Sequence, residues 1–244
     1  MSRPAGRLLE CRGLAAGYGA LAVVRDLDLH VEPGEVVALI GPNGAGKTTT
    51  LLTLAGELPV ISGEVVFRGV ATKAPLFRRA RQGMGIVTEE RSVFKALTAE
   101  ENLRIAGVSV ADAVALFPEL ERLMGRTAGL LSGGEQQMLT LARAVARKPA
   151  LLLIDELSLG LAPVIVKRLL ETVRRIASER STGILLVEQH VRQALHIADR
   201  VYVMQRGRIV MSGTADEVHG RLDEIEATYL SGPRDDPTDQ PSPR

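Results

Sequence analysis

The stretch Gly41–Thr49, GPNGAGKTT, constrains this chain more than any other. A short apolar run, EVVALI, leads into it after the turn Pro33-Gly34. The segment that follows, KTTTLLTLAGEL, places Leu51, Leu54, Ala55 and Leu58 at helical spacing. A G-x-x-x-x-G-K-[ST] pattern between a strand and a helix is the context that confirms a phosphate-binding P-loop. Gly41, Gly44 and Gly46, with Pro42, Asn43 and Ala45 between them, let the backbone turn so that its N–H groups face phosphate oxygens. The positive end of the following helix adds to that field. Lys47 supplies a charge to the outer phosphates, Thr48 is a ligand for Mg²⁺, and Thr49 is placed to hydrogen-bond phosphate.

The rest of the chain alternates strands with helices. LLECRGLAAGY and AVVRDLDLHV alternate apolar and polar residues, as half-buried strands do. SGEVVFRG, PALLLIDE and GILLVE read as further strands, APVIVKRLLETVRRIASE as an amphipathic helix, and DRVYVMQRGRIVMSG as a hairpin turning at Arg206-Gly207. The pattern predicts an α/β core with a mostly parallel sheet and an antiparallel β addition. The expected organisation is a core from 1–75 and 148–230, a helical insert over 76–147, and a disordered tail over 231–244, where proline and charge leave little to bury.

Composition removes several classes. A formal net charge of +1 gives no bulk electrostatic case for nucleic acid. The single cysteine, Cys11, excludes an internal disulfide and reads as a small, partly buried residue. No uncharged apolar run reaches the roughly 18 residues of a membrane span, and the N-terminus lacks the apolar stretch of a secretion signal.

Two further stretches carry chemistry. In LLLIDE, four apolar residues drive a strand into the sheet and two carboxylates emerge at its C-terminal end, where α/β folds bind ligands. Neighbouring residues of a strand point to opposite sides. Asp155 therefore suits the magnesium shell, and Glu156 suits orientation and deprotonation of an attacking water. In LLSGGEQQMLTLARAVARKP, Ser132 is an N-cap with Glu135 as its capping-box partner, ahead of a helix with Met138, Leu141, Ala142 and Val145 on one face. Spacing alone leaves two readings of Ser132, Gly133 and Gly134: a well-capped helix, or a second anion site.

GPNGAGKTT, LSGGEQQ and LLLIDE, in this order, resemble the ABC-type ATPases over about residues 8–230, and LSGGE is the signature that sets that family apart. ERSVFKALTAEENL, LSGGEQQML, SLGLAP and LLVEQHVRQAL look more specifically like the shorter ATP-binding subunit of branched-chain amino acid importers, a group that includes urea and short-amide importers. The resemblance implies a P-loop NTPase cassette that binds ATP and Mg²⁺. It implies a peripheral place on the cytoplasmic face of the inner membrane, docked on integral membrane permease subunits that an extracytoplasmic solute-binding protein serves. It also implies a head-to-tail pair with a second cassette, either a related longer chain or a second copy. Ser132 and Gly134 of one member then complete the ATP site of the other. Tyr18 takes the place of the aromatic ring set against adenine. Glu89 takes the place of a glutamine that touches magnesium and signals to the membrane subunit. Ala162 replaces the aspartate of a cross-subunit loop, and Leu157 replaces a proline. Gln189, rather than His190, matches the histidine that contacts the γ-phosphate. An ABC exporter subunit is the rival within transport. A soluble ABC ATPase acting on nucleic acid or the ribosome usually has two cassettes or a long coiled-coil insert, and this sequence reads as one cassette with a short insert.

Overall fold

The computed structural model describes residues 6–19 and 21–222; the tail expected to be disordered lies outside them. Two sheets carry the fold. The first is antiparallel, in the order β2-β1-β4-β5, from β1 (Leu9–Tyr18), β2 (Leu21–Val31), β4 (Val60–Phe67) and β5 (Val70–Ala71). The second has the order β10-β9-β3-β8-β7-β6. It comprises β3 (Val36–Ile40), β6 (Met84–Val87), β7 (Leu151–Asp155), β8 (Gly183–Glu188), β9 (Arg200–Gln205) and β10 (Arg208–Thr214). All neighbours in this sheet are parallel except β10, which returns on β9 as a hairpin. Arg206 and Gly207 form its turn with φ of 48° and 78°, the left-handed pair that a two-residue hairpin needs. β3, β7 and β8 are buried at every position, which is why they read as unbroken apolar runs.

Helix α1 (Lys47–Ala55) lies between the two sheets. Leu51, Leu54 and Ala55 pack with Leu9, Leu14 and Leu27 on one side and with Leu39, Leu153 and Leu185 on the other. The helix stops at Gly56 (φ 85°), so Leu58 falls beyond it despite its helical spacing. A Cβ at Gly56 would sit 2.5 Å from the Ala74 carbonyl oxygen. Arg79, fully buried in α2 (Leu76–Arg81), seals this end by donating to the carbonyls of Ala74 and Leu54.

The opposite face of the parallel sheet is covered by helices. α5 (Gly133–Val145) and α6 (Pro163–Arg180) pack on Leu152, Ile154, Ile184 and Leu186. The shorter α3 (Ala99–Ile105) and α4 (Val110–Leu116) extend this core through Leu103, Leu116 and Phe117. Thr98 closes a full capping box on α3. α7 (Val191–Ile197) and α8 (Ala215–His219) cover β9 and the end of β3. β6 falls within the stretch 76–147 but is the edge strand of the parallel sheet, and it separates α2 from the helices that follow Val87.

Candidate active site

The C-terminal ends of β3, β6, β7 and β8 open side by side, the place where parallel sheets bind ligands. The turn after β3 is built on close backbone approach. A Cβ at Gly41 would meet the Met204 carbonyl oxygen at 2.3 Å, and Gly46 has φ 104°, a conformation costly for any other residue. No side chain caps α1, so its first N–H groups face outward over the turn.

Lys47 is 5% exposed. Its Nζ donates to the carbonyls of Gly41 (3.0 Å) and Pro42 (3.2 Å) and lies 3.6 Å from Glu156 Oε1. The ammonium is thus held over the turn by groups that an anion can outcompete. Asp155, at the end of β7, is buried. Burial pushes its carboxyl up to about 6, with the Thr48 hydroxyl bond working against that shift. Its Oδ1 has no hydrogen-bond partner. Glu156 sits one residue further in left-handed backbone, φ 44°, its N–H donating to the Val187 carbonyl at 3.0 Å. That kink turns its carboxylate toward Lys47 rather than along the strand.

A cleft of about 350 Å³ is lined by Asn43, Gly44, Gly46, Lys47, Thr48, Thr49, Glu89, Glu156 and Gln189, together with Val23 and Leu159. It brings together residues far apart in sequence. Gln189 lines it, whereas His190 is the exposed N-cap of α7 and does not. Asp155 lies beneath the floor, linked to it through Thr48. Tyr18 is 55% exposed at the end of β1 and stands outside the lining. Val23 and Leu159 were missed by sequence reasoning. Val23 is an ordinary β2 residue that the antiparallel sheet carries to within 3.6 Å of where a Gly46 Cβ would be, and only tertiary packing reveals it.

Ser132, Gly133 and Gly134 form a separate feature. Ser132 Oγ accepts from the Glu135 N–H (3.3 Å) and Glu135 Oε2 accepts from the Ser132 N–H (2.8 Å), a complete capping box on α5. Ser132 is exposed, and these residues are not among those lining the cleft beside Lys47. A second cleft of about 520 Å³ runs along Glu89, Glu90, Arg91, Ser92, Val93, Lys95 and Gln136, so Glu89 belongs to both.

Residues 24–158 match the ABC transporter family. The chain is 43% identical over 225 residues to the high-affinity branched-chain amino acid transport ATP-binding protein BraG of Pseudomonas aeruginosa, covering 88% of this chain and 96% of the relative. It is 38% identical to the probable branched-chain amino acid transport ATP-binding protein LivF of Archaeoglobus fulgidus (89% and 98% covered). It is 34% identical to the lipopolysaccharide export system ATP-binding protein LptB of Escherichia coli (91% and 96% covered). A solved ATP-binding subunit of an ABC transporter superposes with TM-score 0.78 at 31% identity, over 92% of this chain and all of that one. With its glycine-rich turn, its paired carboxylates and the Ser132-Gly133-Gly134 helix start on one scaffold, the chain belongs to the ABC transporter family of ATP-binding, ATP-hydrolysing cassettes.

Proposed function

We propose that this chain hydrolyses ATP to power an importer of branched-chain amino acids or related small amides through separate membrane subunits. The likeness to BraG, 43% over almost the whole of both chains, supports the cargo class. Convergence of Lys47, Glu156 and Gln189 on one cleft supports the chemistry. The uncapped start of α1 and the Gly41–Gly46 turn hold the phosphates, with Pro42, Asn43, Gly44 and Ala45 shaping the turn and Thr49 adding a hydroxyl. Lys47 leaves its carbonyl partners for the outer phosphates. The Tyr18 ring, exposed at the end of β1, takes the adenine.

The residues present fit Mg²⁺. The orphaned buried Asp155 Oδ1 and the Thr48 hydroxyl beside that carboxylate are hard oxygen donors, and Glu89 adds a carboxylate at the rim of the cleft. When bound, the ion neutralises charge on the transferring phosphoryl group. Glu156, held at φ 44° and facing Lys47, orients the attacking water and takes its proton. Gln189 donates its amide N–H to the γ-phosphate.

A P-loop in one chain leaves the outer phosphate open on one side. The start of α5, Ser132 to Gly134, closes that side for a second cassette, which is either a related longer chain or a second copy. Glu89, shared by the two clefts, links nucleotide state to docked permease subunits. An extracytoplasmic solute-binding protein acts on those subunits and not on this chain. No described helix is long and apolar enough to cross a membrane. The chain takes a peripheral place on the cytoplasmic face of the inner membrane, docked on those subunits. The reading includes no nucleic-acid partner.

Likeness to LptB over 91% of the chain favours a second reading, an exporter subunit. Co-purification of the chain with its integral partner, followed by ATPase assays with candidate cargoes, separates the two. Stimulation by a branched-chain amino acid or a small amide through a binding protein supports import. Stimulation by a lipid and not by amino acids contradicts it.

A further inference from the structure

The last residue of β8, Glu188, is 1% exposed. Its carboxylate accepts from Ser158 twice, from the backbone N–H at 3.2 Å and from the hydroxyl at 2.8 Å. Gln189 is the next residue along the chain. The Ser158 donors that hold the Glu188 carboxylate are uncharged, and the charged group that bears on it, Glu156, is another carboxylate. A carboxylate buried in this way costs stability relative to an apolar side chain of similar size, and burial accordingly pushes its carboxyl up to about 7. Strand packing alone does not require it.

Its partners sit where the chemistry is. Ser158 lies two residues after Glu156, whose left-handed backbone must be held against relaxation. Gln189 lines the cleft on the other strand. On its outer side the same loop is held by Arg91, which donates to the Leu159 carbonyl at 3.3 Å. We propose that Glu188 is a positioning residue for hydrolysis: by binding Ser158 twice from the strand position just before Gln189, it locks the loop carrying Glu156 to the strand end carrying Gln189. The carboxylate that meets water and the amide that meets the γ-phosphate then keep one fixed spacing.

This rests on Glu156 as the general base, so Glu156→Gln is assayed beside the variants. In the full-length chain with its membrane partners, Glu188→Ala lowers kcat by about 10–100-fold, as expected when a catalytic group is misplaced by about 1 Å. KM for ATP and the melting temperature stay near wild type. Glu188→Gln keeps an acceptor for Ser158 and restores most of the rate. Ser158→Ala lowers kcat more mildly, and the double variant Glu188→Ala/Ser158→Ala is no slower than Glu188→Ala, because both remove one link. Wild-type kcat in Glu188→Ala with a slow Glu156→Gln overturns the positioning role alone. Wild-type kcat in Glu156→Gln overturns the reading of the base. A parallel loss of ATP affinity and stability in Glu188→Ala, or additive effects in the double variant, assigns Glu188 to packing and overturns the proposal. If Glu188→Ala does not fold, Ser158→Ala decides: a fall in kcat at unchanged KM supports the link, and an unchanged kcat overturns it.

Discussion

The helix after the Gly41–Gly46 turn and the helix after Leu131 begin in opposite ways. At α1 the N-cap is Gly46, in left-handed backbone, and no side chain bonds to the helix start. At α5 the N-cap Ser132 and Glu135 close a reciprocal box. The first helix therefore reaches a phosphate with its donors and dipole uncommitted, inside a chain that also brings Lys47. At the second, the Ser132 and Glu135 N–H groups are already taken up by the box. An anion there must share donors with Ser132 or displace it, and Lys47 lines the other site. On the proposed function, α1 binds within its own chain, and α5 adds little until a second subunit presents a phosphate already bound.

The largest effect expected is at α1. Lys47→Ala removes the buried ammonium above the turn and abolishes useful ATP binding, as titration calorimetry would show; normal affinity would contradict a phosphate role for this turn. Glu156→Gln keeps ATP binding and slows hydrolysis by about 10²–10⁴, the usual worth of a positioned base. Single-turnover kinetics measure it, and the ATP-bound pair should last longer in size-exclusion runs. Smaller again is Gln189→Ala, which loses one hydrogen bond to a charged group, about 1.5–3 kcal/mol or roughly 10–100-fold in turnover. His190→Ala should barely change the rate, since His190 stands outside the cleft. The reverse ranking would move the γ-phosphate contact to His190.

The smallest effect sharpens the contrast through stability. Ser132→Ala should cost about 1 kcal/mol, the worth of an N-cap. The Ser132 N–H holds the Glu135 carboxyl below its ordinary value of 4.5. The stability from that bond is complete above pH 4.5 and is lost as pH falls through the lowered value. Melting curves from pH 6 to pH 3 should show less acid destabilisation in Glu135→Gln than in wild type. Equal slopes would show that the box contributes nothing.

Much of this was legible because it depends on local covalent demands. Only glycine fits Gly41 and Gly46, and a buried apolar strand carries Asp155 to its C-terminal end with Glu156 just beyond. The cross-strand Gln189 was legible through family likeness and not through periodicity. Tertiary placement was not legible. Val23 joins the cleft because an antiparallel sheet folds over α1, and Leu58 leaves the helix because Gly56 must pass close to Ala74. Glu188 reads as the polar end of an apolar strand until Ser158 is seen against it.

The contrast between the two helix starts is tested most directly by Ser132→Arg, measured twice in the same preparation. ATP binding to the isolated chain should match wild type, while ATP hydrolysis by the assembled transporter should collapse. Loss of ATP binding by the isolated chain would contradict the assignment of α5 to the partner's nucleotide, as would full hydrolysis by the assembled variant.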